Sequence, residues 1–209
     1  DGYFASTHDG DPEVELEVTR GMTWVAMHGQ ANFPEEWPPL SMKKERQSDE
    51  LLFGNYEPGS IHGIKFEDLN ANGIADGSDT LLSGVTFTLT GTDGMNNPVG
   101  PLTVITTDNP TTPDFDETGQ FWFNGLKPGV YTVTETIPEG FESSTQPGEA
   151  SPSITLTITS GLEYVAIPGQ ALLPDPVVLP SMKQEQVDED LFFGNFQRGS
   201  FHGVKINDL

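Results

Sequence analysis

Apolar and polar residues alternate with a period of two through most of the chain. The runs "GVTFTLTG" (84–91), "LTVITT" (102–107), "GQFWFNG" (119–125), "GVYTVTETI" (129–137), "SITLTIT" (153–159), "LEYVAI" (162–167) and "DLFFGNF" (190–196) are alternating, β-branched or aromatic. That pattern is the signature of strands with one buried face. Gly, Pro, Asn and Asp punctuate the runs, as in "NNPVG" and "LKPGV", and mark turns. With "SIHGIKF" (60–66) the pattern predicts eight short strands, hence an all-β fold and an antiparallel, immunoglobulin-like sandwich. The best helical stretch is "SMKQEQVDED" (181–190), and it is a poor one. Trp122 and Phe123 are consecutive in an alternating strand, so one of them faces the core.

The pattern also repeats. "GNYEPGSIHGIKFEDL" (54–69) lies over "GNFQRGSFHGVKINDL" (194–209) with nine of sixteen positions identical, at an offset of 140 residues. The same offset aligns "RGMTWVAMHGQA" (20–31) with "SGLEYVAIPGQA" (160–171), and "SMKKERQSDELLFGN" (41–55) with "SMKQEQVDEDLFFGN" (181–195). Before His8 the offset is 138, where "GYFAST" (2–7) meets "GFESST" (140–145). Residues 1–58 therefore read as the C-terminal part of one repeat, 59–198 as a complete repeat, and 199–209 as the first strand of the next. A longer polypeptide of tandem β-sandwiches is the expectation.

Composition narrows the class of partner. Lys and Arg total 9 against 32 Asp and Glu, a formal charge of −23. Such a surface repels nucleic acid and anionic membranes and favours divalent cations. Cysteine is absent, which excludes disulfides and thiolate metal sites. No apolar run reaches membrane-spanning length, and no motif of a hydrolase elbow, a phosphate loop or a zinc protease is present. The expectation is a protein that is not an enzyme.

One loop carries metal chemistry. In "DLNANGIADGSD" (68–79) the calcium-ligand positions hold Asp68, Asn70, Asn72, Ile74, Asp76 and Asp79, with Gly73 sixth. Calcium needs several hard oxygens at once; alternating side chains and the Ile74 carbonyl supply them, and Gly73 permits the sharp turn. The bland alternative is a solvated turn, which does not call for the full ligand spacing. Only three ligands are charged, so the expected affinity is that of extracellular modules, about 10⁻⁴–10⁻³ M. The expected role is structural: it ties the first strand to the second and fixes the junction near Gly59. Asp114, Asp116 and Glu117 lack a full ligand spacing and read as a solvated turn.

These residues carry a family likeness. "GSIHGIKFEDLNANGIADGSDTLLSGVTFTLTG" and "DETGQFWFNGLKPGVYTVTETIPEGF" resemble the B-type repeats of serine–aspartate repeat surface proteins and the related collagen-adhesin B-type domains. The resemblance implies a calcium-binding sandwich repeated in tandem, in stalks that hold other modules away from a bacterial surface. In related adhesin and pilin domains a Lys on the first strand condenses with an Asn on the last, assisted by a buried Glu. The nearest equivalents here are Lys65, Asn195 and Glu135. Glu135 shares parity with Tyr131 and Val133, which points it inward. Alternation places Ile64 and Phe66 inward and turns Lys65 outward, which favours an unlinked lysine unless a bulge at Gly63 reverses the parity.

The segment 168–190 departs from the family pattern by its length. It reads either as an arm onto a neighbouring copy, anchored by Trp37 and Leu40 in one repeat and by Val177, Val178 and Leu179 in the other, or as a flap over its own sandwich. His62 and His202 recur in register as lone imidazoles, a pattern of strand contacts more than of metal ligation; His8 and His28 have no counterparts. The functional expectation is a calcium-stabilised structural repeat of an extracellular fibre, stalk or surface layer, with neighbouring copies as partners. The alternative is an adhesive or carbohydrate-binding module of a larger secreted protein.

Overall fold

The computed structural model describes residues 4–5, 13–16, 22–26, 44–47, 51, 54–107, 116–170 and 184–205. The chain divides into two compact units, Asp1–Glu57 and Pro58–Leu209.

In the first unit, β1 (Phe4–Ala5) pairs antiparallel with β4 (Asn55–Tyr56), and β2 (Met22–Val25) pairs parallel with β3 (Lys44–Gln47). The guanidinium of Arg46 lies over the Trp24 ring, 5.8 Å from its centroid.

The second unit contains β5 (Gly59–Glu67), β6 (Thr80–Leu81), β7 (Thr86–Asp93), β8 (Pro98–Ile105), β9 (Gln120–Leu126), β10 (Gly129–Thr136), β11 (Phe141–Ser143), β12 (Ser153–Ile158), β13 (Leu162–Val165), β14 (Gln184–Val187) and β15 (Phe192–Gln197). The pairings of the first unit recur here at the sequence offsets. Met22 opposite Lys44 corresponds to Leu162 opposite Gln184, and Ala5 opposite Asn55 to Ser143 opposite Asn195.

Two sheets face each other. One is antiparallel, in the order β12-β10-β7-β8; the other runs β11-β15-β5-β13-β14, with β6 and β9 also on β5. The second sheet differs from the purely antiparallel expectation, because β5 runs parallel to both β13 and β15, and β13 parallel to β14. Parallel neighbours need long crossovers, and here one edge of the unit's first strand is taken by strands from its end. Within the helical candidate 181–190, the described residues form no α-helix: Gln184–Val187 is the edge strand β14, followed by one 3-10 turn at Glu189–Leu191. The charged half of the long segment thus returns to its own sandwich. Its apolar half, with Val177, Val178 and Leu179, lies outside the described residues, as do Trp37 and Leu40.

Between the sheets, Phe87 stacks on Phe121 with centroids 3.9 Å apart, and Phe193 meets both rings edge-on. Ile61, Leu89, Phe123, Tyr131, Val133, Leu156 and Ile158 complete this core. Of the aromatic pair in β9, Phe123 is the buried one and Trp122 is half-buried. The "LKPGVY" turn is closed by the Tyr131 hydroxyl, which donates to the Lys127 carbonyl at 2.8 Å.

Candidate functional site

β5 is the central strand of its sheet, and every residue from Gly59 to Phe66 is buried. Its inward face is set by register. Ile61 stands opposite Phe123, Gly63 opposite Phe121 and Lys65 opposite Phe193, all three partners being core aromatics. Lys65 therefore points between the sheets and is 0 % exposed. This corrects the outward orientation expected from Ile64 and Phe66. Both of those are buried as well, on the other face, where Phe66 packs edge-on against Phe192. No bulge at Gly63 is needed.

Opposite Lys65, β10 contributes Glu135 (1 % exposed) and β15 contributes Asn195 (0 % exposed). The Asn195 carboxamide donates to Glu135 Oε1 at 2.7 Å, and Lys65 Nζ lies 3.4 Å from the same oxygen. Lys65 Nζ also donates to the Phe193 carbonyl at 2.8 Å and to the Phe66 carbonyl at 3.2 Å. Glu135 Oε2 and Asn195 Oδ1 have no hydrogen-bond partner. Three strands from both sheets thus bring an amine, a carboxyl and a carboxamide together in a dry site.

Burial dominates the ionisation of the pair. It lowers the Lys65 ammonium from 10.5 to about 8, against the attraction of Glu135, Asp68 and Glu67. It raises the Glu135 carboxyl above its usual range, against Lys65 and the Asn195 hydrogen bond. Both shifts favour the neutral forms. An amine beside a protonated carboxyl is a nucleophile with a proton shuttle.

The loop 68–79 leaves β5 directly after this site, and the Asp68 amide donates to the Asn195 carbonyl at 2.7 Å. It therefore sits at the outgoing end of β5, beside β15. The junction near Gly59, where the sequence reading put its effect, is at the opposite end of the strand. Gly73, at φ +77°, makes the turn and donates to Asp68 Oδ2 at 2.7 Å, while the Asn72 amide donates to Asp68 Oδ1 at 3.2 Å. Burial alone would raise the Asp68 carboxyl, but these amides hold it below its usual value. Asp76 is held near 2 by Ser78, Asn70 and Asn72. Both carboxamides donate to Asp76 Oδ2 at 3.2 Å, and Asp79 accepts from the amides of Leu69 and Asp76. Ile74 is exposed. Among the described residues no three acidic or histidine side chains gather as a ready-made metal cluster. The loop does fit calcium in its donor chemistry. All its side-chain donors carry oxygen, and turning the two carboxamides over would present their oxygens beside Asp76.

One further residue matters that the pattern did not single out. Gln170 is 1 % exposed and donates to the Gly63 carbonyl at 3.2 Å and to Gln120 at 3.0 Å, while accepting from the Ala166 amide. It fills the point on β5 between the stretches paired with β13 and β15. The repeated "GQA" was the only sequence signal for it. His62 is buried, hydrogen-bonded to Ser60 at 2.8 Å and edge-on to Trp122, a strand contact as its isolation in sequence implied; His202 is exposed. Of the acidic turn, Asp116 is exposed and Glu117 buried, while Asp114 lies outside the described residues.

The unit is thus an all-β, immunoglobulin-like sandwich module with its first and last strands side by side and an amine–carboxyl–carboxamide site between its sheets. Residues 59–154 match the family described as the SdrD B-like domain, so the unit resembles the B-type repeat domains of serine–aspartate repeat proteins. Serine-aspartate repeat-containing protein D of Staphylococcus aureus (strain Newman) is 32% identical over 142 residues, covering 66% of this chain and 10% of that protein. Serine-aspartate repeat-containing protein F of Staphylococcus epidermidis is 26% identical over 161 residues, covering 75% of this chain and 8% of that protein. The chain thus spans about a tenth of the length of these relatives. Among solved structures, GBS52, the minor pilin of Streptococcus agalactiae, matches with 14% identity and a TM-score of 0.37 over 72% of this chain and 49% of that one.

Proposed function

We propose that the second unit is a tandem structural repeat of an extracellular stalk or fibre, closed by a covalent amide between Lys65 and Asn195 and stiffened by calcium in the 68–79 loop. The observation that carries this reading is the buried contact of Lys65, Glu135 and Asn195, with Glu135 Oε1 touching both partners. The family match at 59–154 and the serine–aspartate repeat relatives support the setting.

The chemistry balances within the chain. Neutral Lys65 Nζ attacks the Asn195 carboxamide carbon. Protonated Glu135 donates toward Oδ1, which carries the developing charge, then passes the proton lost by the amine to the leaving nitrogen. One C–N bond forms, one breaks, and ammonia departs with no oxidant or cofactor. Bringing Oδ1 to the Glu135 proton requires the carboxamide to turn over from its resting donor orientation. Burial makes the reaction accessible by disfavouring both charges.

Joining the first strand to the last places a covalent bond in the path of a pull transmitted along the chain from one repeat to the next. Calcium, bound by Asp68, Asn70, Asn72, Ile74, Asp76 and Asp79, would cross-brace the loop beside Asn195, where the chain leaves the unit. There Arg198 also pairs with Glu142. Intact mass of the purified chain tests the amide. The expected result is a deficit of one ammonia that disappears in Lys65→Ala and Asn195→Ala, with a Lys65–Asn195 branched peptide after proteolysis. A wild-type mass equal to the unmodified sequence would refute it.

A further inference from the structure

Among the described residues, no outward strand position of the four-stranded sheet is charged. Along β7 and β10 the outward positions alternate with the buried core residues Phe87, Leu89, Tyr131 and Val133. They are all threonine except Val130, and β12 continues the face with one serine and two threonines. Register aligns them into rows: Ser153, Thr134, Thr88 and Thr103 stand side by side across four strands. In the next row Thr132 and Thr155 share a hydrogen bond of 2.8 Å. Val130 (46 % exposed) and, at the margin, Ile105 (58 % exposed) add apolar surface.

Threonine suits exposed strands, but that preference does not explain why, in a chain with 32 acidic residues, none of the outward strand positions of this sheet is a carboxylate. The described carboxylates of the unit lie in the loops, as Asp76, Asp79 and Glu149 do, or on the other sheet, as Glu163 and Glu185 do, and the two on this sheet, Glu135 and Asp93, are buried on its inner side. We propose that this face is a self-association surface whose occupant is the same face of a second copy of the chain.

Charge and chemistry choose that occupant. Copies carrying −23 each repel wherever carboxylates meet, and screening over about 8 Å at physiological salt lets them approach only where charge is missing. A hydroxyl is donor and acceptor at once, so a threonine lattice is complementary to itself, and a two-fold axis would pair it with its own copy. Depletion of charge is also what distinguishes the centre of an interface. The face lacks the cations that would hold an anionic polymer. Four strands of six to eight residues cover about 400–500 Å², roughly half of the ~800 Å² per partner of a stable complex. One pair of faces is thus a weak contact, and tandem copies would multiply it. The inference depends on neither the amide nor calcium.

The absence of cysteine makes a clean test available. In the 209-residue chain, Thr132→Cys places a thiol at the centre of the face and Gln186→Cys places one on β14 of the other sheet. Under mild oxidation Thr132→Cys should form disulfide dimers at least about tenfold faster than Gln186→Cys, with the excess growing with protein concentration and with added NaCl. In sedimentation equilibrium, Thr90→Asp/Thr132→Asp should weaken association of the wild-type chain by about tenfold or more, while an unchanged melting curve shows that it folds. Equal oxidation rates, a wild-type chain monomeric to millimolar concentration, or association untouched by the two aspartates would each overturn the proposal.

Discussion

A lysine with no exposed surface, facing a carboxyl and a carboxamide, decides the residue-scale account. The pair Lys65–Glu135 titrates as a unit, and the productive form holds one proton in total, placed on Glu135 with the amine free. Below the raised carboxyl pKa a second proton blocks the amine; above about 8 the last proton leaves. Amide formation during refolding of urea-solubilised chain, followed by intact mass, should therefore have a bell-shaped pH profile whose alkaline limb falls near 8. Glu135→Gln keeps the shape but removes the shuttle, and should leave the mass of the unmodified chain. The unlinked chain shows the same physics as stability. In Asn195→Ala, Lys65 would have a depressed folded pKa, so the unfolded chain binds more protons between about 8 and 10.5, and stability rises with pH there. Denaturation of Asn195→Ala against Asn195→Ala/Lys65→Met should show the gap narrowing across that window.

At the scale of elements, β5 is the hub on which the site depends. It touches β9 and β6 on one side and β13 and β15 on the other, and its inward face admits only what the Phe121 and Phe193 rings leave room for. At Gly63 a Cβ would strike the Phe121 ring and approach the Leu191 carbonyl to 2.9 Å. Gly63→Ala should destabilise the unit by about 1–3 kcal/mol through overpacking, read from urea denaturation. The central strands of the four-stranded sheet were legible because each has one wet face, and alternation marks it, as in "TFTLT" and "YTVTE". β5 was legible as a strand but not for its facing. Both of its faces are covered, so apolar and polar residues no longer report which side is inward. Likewise β14, with all four residues exposed, carries no hydrophobic period and resembled a weak helix.

Over the whole second unit, the amide would close a loop from residue 65 to residue 195. Constraining the unfolded chain that far is worth about 5 kcal/mol by loop entropy, so Lys65→Ala should lower the melting temperature by about 10–20 °C. Calcium in the 68–79 loop would act at the same end of the unit. With the ~10⁻⁴–10⁻³ M affinity expected of such a loop, about 10 mM calcium should stabilise by roughly 1.5–3 kcal/mol. Calorimetry with chelator and with Asp68→Ala checks this. An identical melt in both conditions would remove calcium from the account while leaving the amide intact.

By itself the sequence determined the all-β class, the positions of the main strands, the 140-residue recurrence, the twelve-residue oxygen-donor loop and the resemblance to B-type repeats. All of these are written in local spacing, which the backbone period and turn chemistry make readable. Tertiary structure alone decided that Lys65 faces inward, that β5 pairs along one edge with strands from the far end of its unit, and that Glu135 and Asn195 meet it there. Those facts depend on which distant strands pair, and a residue buried on both sides carries no mark of its neighbours.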